Sequence, residues 1–292
     1  SDLAINVETP PKGVFVEEVL AGVSTLMAAG ANTINVADSP RAQMRMSAWA
    51  MCYLIQNQLD LETVLHFPIR GRNILRVQGD LLAAHALNVR NIFAVMGDPT
   101  STGEYPEASD TYDVVPTGLI KLLKQGFNQG LDHGGEPLAQ PTNFVVGCAL
   151  NLTPADPARE LKVLRKKIDN GADFALTQPI YNVAEAQQFI TRYEAEYGPW
   201  SLPIIAGVLP LYSGRHAEFL HNEVPGIIIP EDIRRQMREA GKNGAEVGVG
   251  IARDLVTQLR PWVQGIYLIP AFGRYNLAAE VIEVVSEGAL PV

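Results

Sequence analysis

Short apolar segments alternate with longer helical patterns along the whole chain of 292 residues. The helical patterns repeat apolar residues at three- and four-residue spacing, as in VEEVLAGVSTLMAAGA and PARELKVLRKKIDNGA. Strands that alternate with helices favour parallel βαβ units, because parallel neighbours need a crossover connection. The candidate strands are residues 3–7, 33–37, 63–66, 92–95, 144–149, 174–177, 203–207 and 266–269.

About eight βα units without an internal break predict an α/β fold, a single (β/α)8 TIM barrel. We see no repeat, low-complexity tract or linker, so we expect residues 1–292 to form one domain. A doubly wound open sheet is the alternative. That fold normally has a glycine fingerprint, G-x-G-x-x-G, after its first strand, whereas this chain has INVETPPKG.

Charge and cysteine content argue against several classes of function. The net charge is -9 and the pI is near 5.1, so we expect neither nucleic acid nor a membrane as the main partner. No apolar run approaches the roughly 18 to 20 residues that span a bilayer. Cys52 and Cys148 lie in separate apolar segments, which predicts two buried thiols and a reducing, cytoplasmic setting.

Polar side chains follow six of the candidate strands. In a parallel barrel, residues just past the C-terminal strand ends converge on one opening, which we call the mouth. These residues are Glu8, Asp38, His66, Asp98, Asn151 and Gln178. Such a set suits acid–base chemistry beside a bound organic ligand. A divalent metal bound by the first four is an alternative, and the nucleophile motif G-x-S-x-G is absent.

The fourth candidate strand stops abruptly at Gly97-Asp98-Pro99. Glycine permits a sharp turn or a close approach to a ligand, and proline fixes the exit direction of the chain. Asp98 is therefore either a functional carboxylate held at the mouth or part of an Asp-Pro turn that only ends the strand. Two long connections follow, residues 97–115 and 128–141; flexible surface is the leading interpretation of the second.

Five motifs in the right order resemble the methylenetetrahydrofolate reductase family. They are INVETPP, VLHFPIRGRN, NVRNIFAVMGDP, NGADFALTQPIYN and PIIAGVLPLYSGRHAEFLHNEVPGIIIPEDI. Together they extend over nearly the whole chain. DSPRAQMRMSAWAM and YLIPAFGRYNLAAEVI further resemble the reductase half of bifunctional bacterial proteins that combine it with a homocysteine methyltransferase.

The resemblance implies a barrel with a flavin, FAD rather than FMN, at the mouth. Such an enzyme reduces 5,10-methylenetetrahydrofolate to 5-methyltetrahydrofolate. By resemblance Glu8 is the general acid, Asp98 the carboxylate beside flavin and pterin, and Gln178 the amide that contacts the substrate. The cofactor-binding positions implied are His66, Met96, Gly97, Asp98, Asn151, Glu160, Lys166 and Lys167, and Tyr181 is a further candidate for substrate contact.

The electron donor stays open from the sequence. NADH or NADPH is the default for the family, but Gly214 lies near the place where some relatives have a phenylalanine that stacks on nicotinamide and folate. A partner protein that donates electrons is therefore an alternative. So is a folate-binding subunit that is active only within a methyltransferase or electron-transfer complex. A homo-oligomer is expected from the resemblance alone.

Overall fold

The computed structural model describes residues 3–224, 226–269 and 275–287, and only the backbone of residues 3–8, 275 and 283–287. All eight candidate strands are present, with ends displaced by at most two residues. They are β1 (Leu3–Glu8), β2 (Thr33–Val36), β3 (Glu62–Pro68), β4 (Asn91–Val95), β5 (Val145–Leu150), β6 (Phe174–Pro179), β7 (Ile204–Val208) and β8 (Gly265–Leu268).

Helices separate the strands, although not in an even repeat. Among the described residues they are α1 (Glu17–Ala28), α2 (Ala48–Leu59), α3 (Ile74–Ala86), α4 (Pro116–Lys121), α5 (Pro157–Asp169), α6 (Val183–Tyr197), α7 (Gly214–Glu223), α8 (Glu231–Glu239), α9 (Gly244–Leu259) and α10 (Tyr275–Glu287). Helix α4 is short and continues into a π-helical turn, Leu122–Gly126. Three helices, α7 to α9, lie between β7 and β8.

The strands form one parallel sheet in the order β1 to β8, and β1 also pairs with β8. This pairing closes the sheet into a ring, whereas a doubly wound sheet would have two unpaired edge strands. The predicted α/β fold with parallel strands is confirmed. Residues that follow the C-terminal strand ends therefore share one end of the ring, the mouth.

Side chains alternate between two apolar layers. The outer layer packs between sheet and helices and includes Ile34 and Val36 of β2. The inner layer fills the ring and consists of the residues Val64, Phe93, Leu176, Ile205 and Tyr267. Period-two alternation along each strand produces these two faces, so a residue's position in a strand fixes which layer it joins.

The long connection after β4, residues 97–115, is tied to the loops after β1 and β2. The Glu104 carboxylate accepts hydrogen bonds from Lys12 Nζ at 2.8 Å and from the Met44 N–H at 3.1 Å. Further along, the Asp113 carboxylate accepts the N–H of Ile74, at the start of α3, at 2.8 Å. The connection therefore joins the strand-end loops on one side of the mouth.

The connection at residues 128–141 is better ordered than flexible surface would be. The Asn128 side chain accepts the N–H of Phe144 at 2.8 Å and donates to its carbonyl at 2.9 Å. It also accepts the Thr142 hydroxyl at 2.7 Å, and Leu131 pairs with Pro137 in an isolated bridge. Asn128 thereby anchors the connection to the start of β5.

The structure also bears on the predictions made from composition about membrane-spanning segments and cysteines. No helix in the described part of the chain is long and apolar enough to cross a membrane. Both cysteines are buried and unbonded, as predicted. Burial raises the pKa of the Cys52 thiol to about 12 and that of Cys148 to about 11, so neither is a reactive thiolate at neutral pH.

Candidate active site

A cavity of about 310 Å³ opens at the mouth between the ends of β2, β3 and β4. We call it the mouth cavity. Its lining includes Asp38, His66, Met96, Gly97 and Asp98. The structure thus brings together four residues that the family resemblance assigns to the cofactor and a fifth residue, the strand-end carboxylate Asp38.

His66 faces the interior of the ring. Its neighbours Leu65 and Phe67 belong to the outer layer, so alternation places His66 on the inner face. The imidazole lies 4.7 Å from the ring of Phe93, measured between centroids, and Nε2 is buried without a partner among the described residues. Burial lowers the pKa of His66 to about 4. The imidazole is therefore neutral at neutral pH and offers hydrogen bonding without charge.

Gly97 turns the chain sharply at the end of β4, as predicted. Its φ is +88°, a conformation that L side chains rarely adopt. A Cβ built at Gly97 would lie 2.9 Å from Pro68 Cβ and 3.0 Å from Arg70 Cβ. Only glycine lets the backbone pass this close to the end of β3.

Asp98 is exposed and connects two neighbouring loops. Its carboxylate accepts the backbone N–H of Arg41 at 2.5 Å, and its carbonyl accepts a hydrogen bond from the Arg70 guanidinium. Ser39, Arg41 and Ala42 all have positive φ, between 48° and 56°. Non-glycine residues in this region are strained, and such strain concentrates at functional sites. Asp98 thus holds the loop after β2 in a strained conformation at the cavity edge.

Asp38 is neutralised by an arginine that the strand-end pattern did not single out. Arg72 lies 2.9 Å from Asp38 and 3.4 Å from Asp80, and its guanidinium stacks 4.8 Å from the centre of the Phe67 ring. The motif IRGRN, which carries two arginines directly after β3, was the available signal. Within the described residues no cluster of three His, Cys, Asp or Glu could hold a metal, so the metal interpretation gains no support there.

Two amide side chains, Asn151 and Gln178, lie at the ends of β5 and β6, the two strands that follow β4 in the ring. Asn151 Oδ1 accepts the N–H of Thr153 at 2.9 Å, which leaves Nδ2 as the group turned away from this turn. A Cβ built on Gly226, where φ is +84°, would lie 3.4 Å from Asn151 Nδ2 and 3.8 Å from Gln178 Cγ. Asn151 and Gln178 therefore lie under the same backbone segment, and Gln178 is exposed.

The α5 residues assigned to the cofactor by resemblance have different surroundings. Lys167 is only 8% exposed, and its Nζ lies 2.6 Å from the Ala149 carbonyl and 3.9 Å from Glu160. Glu160 also accepts the N–H of Asn151 at 3.3 Å. These two side chains brace the end of β5 from the helix side. Lys166, by contrast, is exposed.

Tyr181 packs in the outer layer rather than at the mouth. It is 5% exposed, and its hydroxyl donates to the Leu209 carbonyl at 2.8 Å. Burial raises the pKa of this phenol. Its ring therefore packs in the core, and its hydroxyl is hydrogen-bonded within the protein.

Glu8 ends β1, and its Cα pairs with that of Val36 on β2. Its side chain lies outside the described residues, so its role as general acid stays a prediction. Pro270 and Arg274, which follow the eighth candidate strand in the sequence and would by that position be expected near the mouth, also lie outside the described part of the chain.

The proteins that this chain resembles in sequence belong to one named family. The profile of the family described as methylenetetrahydrofolate reductase matches residues 3–283. Methylenetetrahydrofolate reductase 2 of Saccharomyces cerevisiae is 27% identical over 217 residues, which are 70% of this chain and 32% of that protein. Methylenetetrahydrofolate reductase 1 of Schizosaccharomyces pombe is 25% identical over 159 residues, 54% of this chain and 24% of that protein. The chain thus matches about a third of these proteins or less.

A solved structure shares the fold at low sequence identity. It is an uncharacterized protein from Clostridium thermocellum, described as binding two copies of 5-methyl-5,6,7,8-tetrahydrofolic acid. Its TM-score is 0.64 at 15% identity, and the match covers 98% of this chain and 95% of that one. At this identity the likeness concerns the fold alone. The profile, in contrast, extends over nearly every strand and helix, and by that match the chain belongs to the methylenetetrahydrofolate reductase family.

Proposed function

We propose that this chain is the catalytic barrel of a flavin-dependent reductase that converts 5,10-methylenetetrahydrofolate to 5-methyltetrahydrofolate. The observation that carries the proposal is the mouth cavity, where His66, Gly97 and Asp98 lie together in a member of this family. We further propose that the closed ring is a complete (β/α)8 barrel and that residues 1–292 form one domain. The folate-binding neighbour is consistent with a folate ligand.

The mouth cavity fits a flavin ring in size and chemistry. Ligand pockets commonly measure about 300 to 1,000 Å³, and this one is about 310 Å³. His66 places a neutral imidazole on the cavity wall, and Gly97 exposes backbone that no side chain covers. When bound, the flavin supplies the hydride. FAD rather than FMN follows from the family resemblance.

The chain's own residues then handle charge and protons. Opening of the substrate's five-membered ring creates a positively charged iminium, which the exposed Asp98 carboxylate stabilises electrostatically. Glu8, at the end of β1, would protonate the folate nitrogen as that ring opens. Gln178 and the Nδ2 group of Asn151 would orient the polar edge of the pterin.

Three of the residues assigned by resemblance are left out of the proposed contact surface. Lys167 and Glu160 are used to brace β5, and Tyr181 is occupied in the outer layer. Lys166 stays a candidate for the cofactor phosphates, because its ammonium is exposed. The proposed contact residues that matter most are therefore Asp98, Gln178, His66 and Glu8.

A second candidate function is a subunit that receives electrons from a partner protein rather than from NADH or NADPH. Val14 and Phe15, in the loop after β1, are 79% and 81% exposed. Contiguous exposed apolar surface marks contact sites for other proteins, and these two adjacent side chains supply a candidate contact.

The first experiment is an absorption spectrum of the purified protein, followed by identification of the acid-released cofactor. We expect a flavin spectrum and FAD. The protein should then oxidise NADH or NADPH with methylenetetrahydrofolate as acceptor. If folate binds but neither nucleotide is oxidised until a partner protein is added, the second candidate function is selected. A colourless protein that flavin cannot reconstitute would contradict both.

Glu8→Gln separates the two half-reactions. Loss of a general acid typically costs about 10² to 10⁴ in rate, so we expect folate-dependent turnover to fall at least 100-fold. Reduction of the flavin by its electron donor should stay within about twofold, since that step needs no acid at Glu8. Stopped-flow absorbance of the two half-reactions measures both rates. Glu107 is an exposed residue in the 97–115 connection, and Glu107→Gln is the control. Equal losses in both half-reactions of Glu8→Gln would contradict the role of Glu8 as general acid.

A further inference from the structure

We propose that Asn35 is a positioning residue, whose carboxamide shares an ordered internal water with Nε2 of His66 and thereby fixes the imidazole at the mouth cavity. This inference rests on the proposed function, because it gives the flavin-contacting histidine its support. Asn35 belongs to none of the motif positions or strand ends assigned above. Its place in the structure alone singles it out.

Asn35 lies inside the ring of strands. Its neighbours on β2, Ile34 and Val36, are fully buried in the outer layer, so alternation puts Asn35 on the inner face. Its Cα partner on β3 is Val64, a member of the inner layer. Asn35 is 0% exposed. A carboxamide is therefore embedded among apolar side chains at the centre of the molecule.

Both polar atoms of this carboxamide lack partners. Neither Oδ1 nor Nδ2 of Asn35 has a hydrogen bond to any described residue. Buried polar groups in folded proteins nearly always find a partner, either protein or ordered water. Leaving an amide unsatisfied weakens the fold, and an apolar residue of similar shape would stabilise it. Residues that leave a buried polar group without a partner, at a cost to stability, are expected at functional sites.

His66 presents the matching unsatisfied group. It follows Val64 by two residues on the same inner face of β3, so it lies about 6.6 Å nearer the mouth along the strand. Its Nε2 is likewise buried without a partner among the described residues, while the residue itself lines the mouth cavity. Asn35 and His66 thus occupy adjacent strands, one inward-facing position apart.

Other polar groups inside the ring are already engaged. The Tyr267 hydroxyl donates to the Thr177 carbonyl. Asn91 Nδ2 donates to the Thr63 carbonyl at 2.9 Å and to Glu62 at 2.6 Å. Among the interior side chains described, Asn35 is therefore the group available to Nε2 of His66. Internal waters typically make about three hydrogen bonds, and Asn35 Oδ1, Asn35 Nδ2 and His66 Nε2 supply three.

The consequence concerns the orientation of the imidazole. A water held by Asn35 fixes one ring nitrogen, and the hydrogen bond at that nitrogen decides the tautomer and the group that the ring offers elsewhere. Asn35 then sets how His66 meets a ligand in the mouth cavity without touching the ligand itself. Removing the carboxamide should stabilise the empty protein and weaken ligand binding, which a purely structural residue would not do.

The test compares Asn35→Leu with Asn35→Thr, whose hydroxyl can still hold a water. FAD affinity is measured by quenching of flavin fluorescence, and the His66 ring nitrogens by ¹⁵N NMR, with His66→Gln used to assign the signals. We expect Asn35→Leu to unfold at higher urea concentration without ligand, to bind FAD at least tenfold more weakly, and to shift the His66 ¹⁵N signals. Asn35→Thr should recover most of the affinity. Val64→Ile, in the same inner layer, is the matched control and should bind FAD within twofold of wild type.

Unchanged FAD affinity together with unchanged His66 ¹⁵N shifts in Asn35→Leu would overturn the proposal. If Asn35→Leu does not fold, the smaller Asn35→Val serves the same comparison. If the wild-type protein binds neither FAD nor FMN, the proposed function fails, but the ¹⁵N shifts of the variants still decide whether Asn35 and His66 are coupled. The two failures are therefore distinguishable.

Discussion

Burial inside the ring lowers the pKa of His66 from 6.5 to about 4. Above pH 6.5 the imidazole is neutral in both the folded and the unfolded chain. As the pH falls through 6.5, His66 takes up a proton in the unfolded chain but stays neutral in the folded chain. The free energy of unfolding therefore falls until folded His66 is protonated near pH 4. One pKa unit corresponds to 1.36 kcal/mol, so the full loss is about 3 kcal/mol.

His66→Gln should remove this pH dependence. Between pH 7 and pH 4.5 we expect its free energy of unfolding to fall by about 2 to 3 kcal/mol less than that of the wild type. Urea unfolding at the two pH values measures the difference. Curves of wild type and variant that stay parallel over this range would show that His66 is not buried in its neutral form.

Gly97 and Gly198 form a matched pair for the turn at the mouth. Their φ values are +88° and +90°, but a Cβ at Gly198 meets nothing within 4 Å, whereas one at Gly97 meets Pro68 and Arg70. Gly198→Ala should cost only the backbone strain, about 1 to 3 kcal/mol. Gly97→Ala should cost more and should also weaken FAD binding at least tenfold. Urea unfolding and flavin fluorescence measure both effects; equal behaviour of the two variants would remove Gly97 from the site.

At the scale of elements, Asn128 orders the long connection between the π-helical turn and β5. Its three hydrogen bonds, to Thr142 and to both backbone groups of Phe144, are lost in Asn128→Ala. At about 1 kcal/mol per bond, the free energy of unfolding should fall by about 3 kcal/mol. Urea unfolding measures this loss. Gln125→Ala, which removes one exposed bond to the Asp169 carbonyl, is the control and should cost less than about 1 kcal/mol.

The elements themselves were largely predictable, and the loops were not. Apolar runs of strand length were visible in the sequence because buried parallel strands are apolar on both faces. The positive φ of Ser39, Arg41 and Ala42 carried no such signal, since none of them is glycine. Asp98, far along the chain, binds the Arg41 N–H in this conformation. A contact between distant residues cannot be inferred from local propensity.

At the scale of the whole molecule, ligand binding should raise the free energy of unfolding. A ligand at about 100 times its dissociation constant stabilises the folded state by about 2.7 kcal/mol when it binds only that state. FAD at this excess should therefore raise the free energy of unfolding by about that amount, measured by urea unfolding. FMN at the same concentration should stabilise less, because it lacks the adenosine monophosphate part of FAD. Equal stabilisation by both would contradict the choice of FAD.

The sequence by itself determined the alternation of strands and helices, and it identified Gly97, Asp98 and His66 as strand-end residues. Local periodicity and glycine chemistry suffice for that, because both act over a few neighbouring residues. Only the tertiary structure decided that Arg72 forms an ion pair with Asp38 and that Lys167 and Tyr181 are hydrogen-bonded within the fold. It also decided that Asn35 and His66 face the interior from adjacent strands. Closing the ring sets which side chains meet, and the register between strands, not the order of residues, fixes those meetings.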